Sequence, residues 1–203
     1  DEIYFGNGPR GVRCLETLLE KKYNISAIVG HVNDSSLLRL GQKHGIPTLQ
    51  PRKVNENNFV NKLREYSPDL FVLAGYNQIF KKDLINLPKR GALNLHGGKL
   101  PEYRGTAPIN WQIINGELKG GCCIIFMDEG IDTGDIVEQV YYDIYKNDTA
   151  GDIIKKQLRI FPPMLIRVIE NIRRNKLTRV KQDLSLGAYY TRRYPKDGRI
   201  NWQ

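Results

Sequence analysis

The chain has 203 residues, 40% hydrophobic and 26% charged, which allows one domain or at most two and a sizeable core. No apolar run is long enough to span a bilayer as a helix, and the three cysteines, Cys14, Cys122 and Cys123, offer neither a disulfide framework nor a C-x-x-C pair, so a reduced, cytoplasmic protein is expected. The net charge of +9 sits in residues 151–203, with 13 Lys or Arg against 4 Asp or Glu; of the totals of 31 and 22, the remaining 18 basic and 18 acidic groups balance over the first 150 residues. That basic end suits an anionic partner, whether nucleic acid or the phosphates of a nucleotide, or else a solvated helix face.

The elements follow in chain order. The opening DEIYFGNG has no basic n-region or long apolar stretch, so it is not read as a signal peptide; EIYF reads as a strand, and a few preceding residues are expected. PRGVRCLETLLEKK reads as a helix with Pro9 near its first position, ISAIVGHV as a buried strand, and SSLLRLGQKHG as a helix ended by glycine. NENNFVNKLREY gives another helix, DLFVLAGY another strand, and KKDLINLP a short helix before the strand GALNLH. This alternation predicts an α/β fold, an open, mostly parallel twisted sheet with helices on both faces, whose ligands bind beyond the carboxyl ends of the strands.

TAPINWQIINGE then reads as a helix with Thr106 as its N-cap, and GCCIIFMDEG and DIVEQVYYDI as two strands joined through EGIDTGD. TAGDIIKKQLRIFPPMLIRVIENIRRNK is amphipathic, and Pro162-Pro163 is expected to kink or split it. LGAYYTRRYPKDGRINW closes the chain with a strand and a turn. Its aromatics Tyr189, Tyr190, Tyr194 and Trp202 are read as core in preference to an interface, a homodimer being the second reading. The whole is one domain, with about 176–203 as an extension packed on it.

Two constellations could carry chemistry. GNGPRG, Gly6 to Gly11, matches G-x-G-x-x-G between a strand and a helix, with Asp34 about where a ribose-binding acid belongs. Pro9 removes one N–H and Asp34 lies past the strand end, so the loop reads as a dinucleotide site, as a site for another ligand's phosphate, or as a tight turn. The second is Asn94-x-His96 at a strand end, where period-two geometry points both side chains to one face. An imidazole can take a proton from an attacking nucleophile and an amide can donate to an oxyanion, which is the equipment of acyl transfer. No G-x-S-x-G nucleophile accompanies them, so transfer runs directly between two bound substrates. Asp128, Glu129, Asp132 and Asp135 are the candidate acids, and spacing does not choose among them. His31, His44 and His96 lack ligand spacing, and no metal is expected.

NLHGGKLPEYRGTAPINWQIINGE followed by GCCIIFMDEGIDTGDIV resembles the formyltransferases that use N10-formyltetrahydrofolate, over nearly the whole chain. The resemblance implies Asn94, His96 and Asp132 as the catalytic set. Asn94 would stabilise the oxyanion, His96 assist proton transfer, and Asp132 position His96 and a water. It implies Gln78, Ile79, Phe80, Glu129 and Ile131 around the pterin of the co-substrate. HGGKLP and YYTRRYPKDGRINW are most similar to the sugar-nucleotide members, which act on dTDP- or GDP-linked amino sugars; Gly8, Pro9, Arg10 and Lys99 would then meet the nucleotide diphosphate. A small-molecule nucleotide sugar is therefore the expected partner, with membrane excluded and nucleic acid disfavoured. Methionyl-tRNA and glycinamide ribonucleotide formyltransferases are the alternatives within the family. Outside it stand a nicotinamide-dependent oxidoreductase built on GNGPRG and a non-catalytic binding module.

Overall fold

The computed structural model describes residues 1–32, 34–200 and 202. Its centre is a seven-stranded sheet formed by β1 (Glu2–Gly6), β2 (Ile25–Val29), β3 (Thr48–Leu49), β4 (Leu70–Ala74), β5 (Ala92–His96), β7 (Lys119–Phe126) and β8 (Ile136–Asp143). The order is β3-β2-β1-β4-β5-β7-β8. The first five strands run parallel, and β7 and β8 are antiparallel additions beyond β5. A second, two-stranded ladder pairs β6 (Tyr103–Gly105) with β9 (Ala188–Tyr190) in parallel. Neither β3 nor β6 is legible as a strand in the sequence, since two or three residues carry no periodicity.

Helices α1 (Gly8–Glu20), α2 (Ser35–His44), α3 (Asn57–Glu65), α4 (Lys82–Ile85), α5 (Pro108–Ile114) and α6 (Ala150–Arg173) flank the strands. Period-two alternation in the strands divides the core in two. Tyr4, Val72, Leu93, Leu95 and Ile124 face α1 and α6, whereas Ile3, Phe5, Phe71, Leu73 and Ala92 face α3 and α4. Asn94 and His96 fall in the same phase as Ala92, two and four residues on.

Local chemistry fixes the helix ends. Asp34 accepts from the Ser36 N–H to cap α2, and Gly45 closes that helix at φ +66°. Thr149 and Asp152 form a reciprocal capping box at the start of α6. Two expectations are corrected. Thr106 does not cap α5; Ala107 holds the N-cap position at φ +54° without a side-chain bond, and the Thr106 N–H donates to Tyr190 O instead. And α6 runs unbroken through Pro162 and Pro163. The prolines remove two backbone donors, but Ile153, Gln157 and Phe161 before them and Met164, Leu165, Val168 and Ile169 after them lie on one buried stripe. Packing on both sides of the defect outweighs the lost bonds.

The closing aromatics are corrected as well. Tyr189, Tyr194 and Trp202 are exposed, and Tyr190 alone packs, stacked on Tyr103 at 4.9 Å. Among the described residues no helix is long and apolar enough to cross a membrane. Phe161, fully buried where α6 meets α1 and the sheet, is expected to be a main anchor of the fold. Phe161→Ala is expected to lower the unfolding free energy by about 3–5 kcal/mol, read as a shifted urea midpoint at unchanged slope.

Candidate active site

β5 carries the sequence Ala-Leu-Asn-Leu-His between β4 and β7, and its last residues reach the rim where the parallel strands end. Beyond His96 the backbone passes through Gly97 and Gly98, and both positions are crowded. A Cβ on Gly97 would stand 2.6 Å from the Arg10 guanidinium, and one on Gly98 2.7 Å from Pro108. The two glycines therefore admit the protein's own groups to the back of the site.

Those groups form a buried polar clamp on the strand end. Arg10 donates from Nη1 to Leu95 O at 2.9 Å and from Nη2 to Gln157 Oε1 at 3.0 Å, with its guanidinium over the Phe161 ring. Gln157 donates to Gly97 O at 2.8 Å, and the fully buried Gln112 reaches the same carbonyl at 3.3 Å. The carbonyls on both sides of His96 are thus held from the α1–α6 side. Burial pushes the Arg10 pKa below that of a free guanidinium.

The acid arrives from farther away. β7 is antiparallel to β5, with Phe126 opposite Leu93, so the chain leaves β7 near the start of β5 and must fold back along its face. The nine residues from 127 to 135 do this. The ends are tied by Phe126 N to Asp135 O at 2.9 Å, and Asp132 sits at φ +55°. Its carboxylate takes three contacts. Asn94 Nδ2 donates to Oδ1 at 3.2 Å, His96 Nδ1 lies 3.5 Å from the same oxygen, and the Gly105 N–H donates to Oδ2 at 2.9 Å. Of the four acids the sequence offered, Asp132 is the one that meets Asn94 and His96.

The other ring nitrogen fixes the tautomer. His96 Nε2 stands 2.6 Å from Tyr103 O, and a carbonyl only accepts, so Nε2 carries hydrogen. Nδ1 is left as the basic nitrogen, on the side of Asp132. His96 is 5% exposed, and it reaches open space through one cleft of about 520 Å³. That size is ordinary for a small-molecule site. Asn94, His96 and Asp132 line it together with the loop Tyr76 to Phe80, the turn residues Asp128, Gly130 and Ile131, and Arg10.

The remaining candidates divide. Gln78, Ile79, Phe80 and Ile131 line the cleft; Phe80 packs into the core against Phe5, while Ile79 is 65% exposed. Glu129 is in the same turn but pairs outward with Lys82 at 3.1 Å. Gly8 belongs to a separate surface pocket with His31, Asp34 and Arg52, and its N–H donates to Asp34 Oδ2 at 3.3 Å; Pro9 lines neither pocket. Lys99 is outside the cleft as well, paired with Glu117 at 2.8 Å. Burial alone would raise the Glu117 carboxyl, but hydrogen bonds from Lys99 and Tyr103 and the lysine charge outweigh it and hold it below the usual carboxylate range. Two basic residues of the cleft were missed, Arg192 and Arg193. They stand in the quoted YYTRRY, and an adjacent basic pair after a predicted strand was the available signal.

The comparisons with known proteins bear on this geometry. The formyl transferase family model matches residues 16–169. The chain belongs to the formyl transferase family. A methionyl-tRNA formyltransferase of Alkaliphilus oremlandii is 32% identical over 210 residues, covering 98% of this chain and 68% of that protein. Among solved structures, WlaRD, a sugar 3N-formyl transferase crystallised with dTDP and 5-N-formyl-THF, is 26% identical at a TM-score of 0.77, covering 99% of this chain and 71% of that one. The N-formyltransferase of Helicobacter canadensis, in complex with folinic acid and dTDP-3-aminofucose, superposes at a TM-score of 0.78 with 23% identity, covering 99% and 74%. This formyltransferase thus resembles sugar N-formyltransferases in fold and is 32% identical in sequence to a methionyl-tRNA formyltransferase.

The formyltransferase's cysteines stand apart from the cleft chemistry. Cys122 and Cys123 point to opposite faces of β7, and all three thiols are buried. Burial pushes Cys14 and Cys122 up to about 12 and raises Cys123 as well. At pH 7.5 iodoacetamide is expected to label none of them in the native protein and all three in urea, as counted by intact mass. Labelling of the native protein at one thiol would show an accessible thiolate and reopen covalent catalysis.

Proposed function

We propose that the chain transfers the formyl group of N10-formyltetrahydrofolate to the amino group of a nucleotide-linked amino-deoxy sugar. The observation that carries this reading is the meeting of Asn94, His96 and Asp132 on the wall of one open cleft. The co-substrate is placed in the same cleft, where the uncovered side chains of Ile79 and Ile131 suit a flat heteroaromatic ring. It supplies the formyl carbon.

The residues then take these roles. Asn94 spends one amide hydrogen on Asp132 and keeps the other for the oxygen on which charge develops. His96, with hydrogen on Nε2 toward Tyr103 O, takes at Nδ1 the proton that the attacking amine loses as its new C–N bond forms, and returns it to N10 of the folate as the C–N10 bond breaks and tetrahydrofolate leaves. The imidazolium so formed lies against the Asp132 carboxylate, which the Gly105 N–H holds in place. No covalent enzyme intermediate is needed, because both substrates react while held together. Gln78, Ile79, Phe80 and Ile131 are proposed to hold the pterin, with Glu129 contributing only as part of the turn.

The acceptor's phosphates are proposed to meet Arg192 and Arg193 at the cleft, since Arg10 is committed to Leu95 and Gln157 and Lys99 to Glu117. The sugar reading rests on the solved relatives that hold dTDP or a dTDP-sugar. The second reading, methionyl-tRNA as acceptor, is favoured by the 32% identical methionyl-tRNA formyltransferase.

An assay that follows release of tetrahydrofolate separates the two. It offers in parallel dTDP- and GDP-linked amino sugars, methionyl-tRNA and glycinamide ribonucleotide. Turnover of an amino-sugar nucleotide is expected, and turnover of methionyl-tRNA alone would overturn the sugar reading. In the same assay His96→Asn is expected to lower kcat by about 10²–10⁴-fold. Asn94→Ala is expected to lower it by about 10²–10³-fold. His96→Asn with wild-type turnover from pH 6 to 9 would remove His96 as the proton acceptor.

A further inference from the structure

The turn that brings Asp132 to the site is held from a part of the chain outside the catalytic motifs. Val180 makes an isolated antiparallel bridge with Ile136 at the start of β8, with N–H···O bonds of 2.8 and 2.9 Å in both directions. One residue earlier, the Arg179 guanidinium lies over the ring of Phe126, the last residue of β7. Two residues later, the Gln182 side chain turns back over the loop. Its amide donates to Asp132 O at 2.9 Å and to Gly134 O at 2.7 Å. The segment therefore grips both strands that flank the turn, and Gln182 grips the turn itself on either side of Thr133.

Three further facts show what this grip has to do. Asp132 is left-handed at φ +55°, a conformation that costs an L-residue energy and persists only where its surroundings enforce it. Gly134 lies close against the end of β7, where any side chain would clash with Phe126 O. And Gln182 is 7% exposed, with Oε1 buried and unpartnered among the described residues. Burying one end of an amide unpaired costs free energy, which the bonds made by the other end must offset. The side chain's worth thus lies in its two donated bonds, and both go to the backbone of the Asp132 turn.

We propose that Gln182 is a positioning residue for formyl transfer. Its amide holds the Asp132 turn in the conformation in which the carboxylate meets Asn94, His96 and the Gly105 N–H. Gln182 touches none of the three side chains and acts only through the main chain of Asp132 and Gly134. The inference rests on the role proposed above for Asp132.

The test uses the full chain with Gln182→Met, which keeps the length and loses the donors. Two readouts are taken. The first is kcat and the KM for N10-formyltetrahydrofolate, with the acceptor that the parallel assay identifies. The second is amide hydrogen exchange, without ligands, at Gly105, whose N–H is bonded to Asp132 Oδ2, and at Leu95 in the central strand. Loosening of the turn is expected to lower kcat by about 10–100-fold, since misplacement by about 1 Å costs on that order. The KM for the donor is expected within about twofold of wild type. Exchange at Gly105 is expected to be about tenfold faster or more, with Leu95 unchanged. Gln182→Asn, whose amide is one carbon short of both carbonyls, is expected to give the same pair of losses and serves if the methionine variant does not fold.

Wild-type kcat would overturn the proposal, as would Gly105 protection at the wild-type level. Faster exchange at Leu95 alongside Gly105 would assign Gln182 to fold stability and overturn it too. Asp132→Asn separates this proposal from the reading beneath it. An inactive Asp132→Asn beside a fully active Gln182→Met overturns the positioning role alone. An active Asp132→Asn overturns the role of Asp132 and this one with it.

Discussion

One carboxylate organises the site. Asp132 accepts from Asn94 and Gly105 and faces the basic nitrogen of His96, so a single side chain relates a strand, a loop and a turn that come from different parts of the sequence. Asn94 and His96 need no outside help to share a face, because alternation on β5 guarantees it. The acid has no such guarantee. It must be carried back along the strand by a turn with a left-handed residue, held by bonds within the turn and by contacts from Asn94, Gly105 and Gln182 elsewhere in the chain.

The sheet explains why the site lies where it does. Its order reverses between β1 and β4, and the loops that leave the parallel strands fan apart above that edge. β5 is the last parallel strand, and β7 and β8 close its open side antiparallel. The cleft therefore has loops from parallel strands on one wall and a β7–β8 connection on the other. The solved relatives that hold a folate with dTDP or a dTDP-sugar share this fold, with TM-scores of 0.77 and 0.78.

How much of this could be read beforehand follows from the range of each interaction. The helices were legible because their burial is periodic, the central strands because they are apolar runs, and Asn94-x-His96 because the pair obeys the period of a strand. Asp132 was one of four acids until the family resemblance singled it out, since no local rule tells which carboxylate of a turn folds inward. Pro162-Pro163 misled because the local cost is visible in sequence while the compensating burial along α6 is not. Arg10 looked like an anion ligand at a helix start, but Gln157 and Leu95, both remote in sequence, claim its donors. Gln182 was silent for the same reason: an isolated glutamine in a polar stretch carries no signal until its partners are known.

The pairing of β6 with β9 bears on the tautomer of His96. Tyr103, whose carbonyl sets which nitrogen of His96 carries hydrogen, is the first residue of β6, and it lies opposite Ala188 in that ladder. Its ring stacks on Tyr190 two residues along. The tautomer of the imidazole is thereby tied to a strand far along the chain: the carbonyl that tells its two nitrogens apart belongs to the residue that β9 pairs with through Ala188.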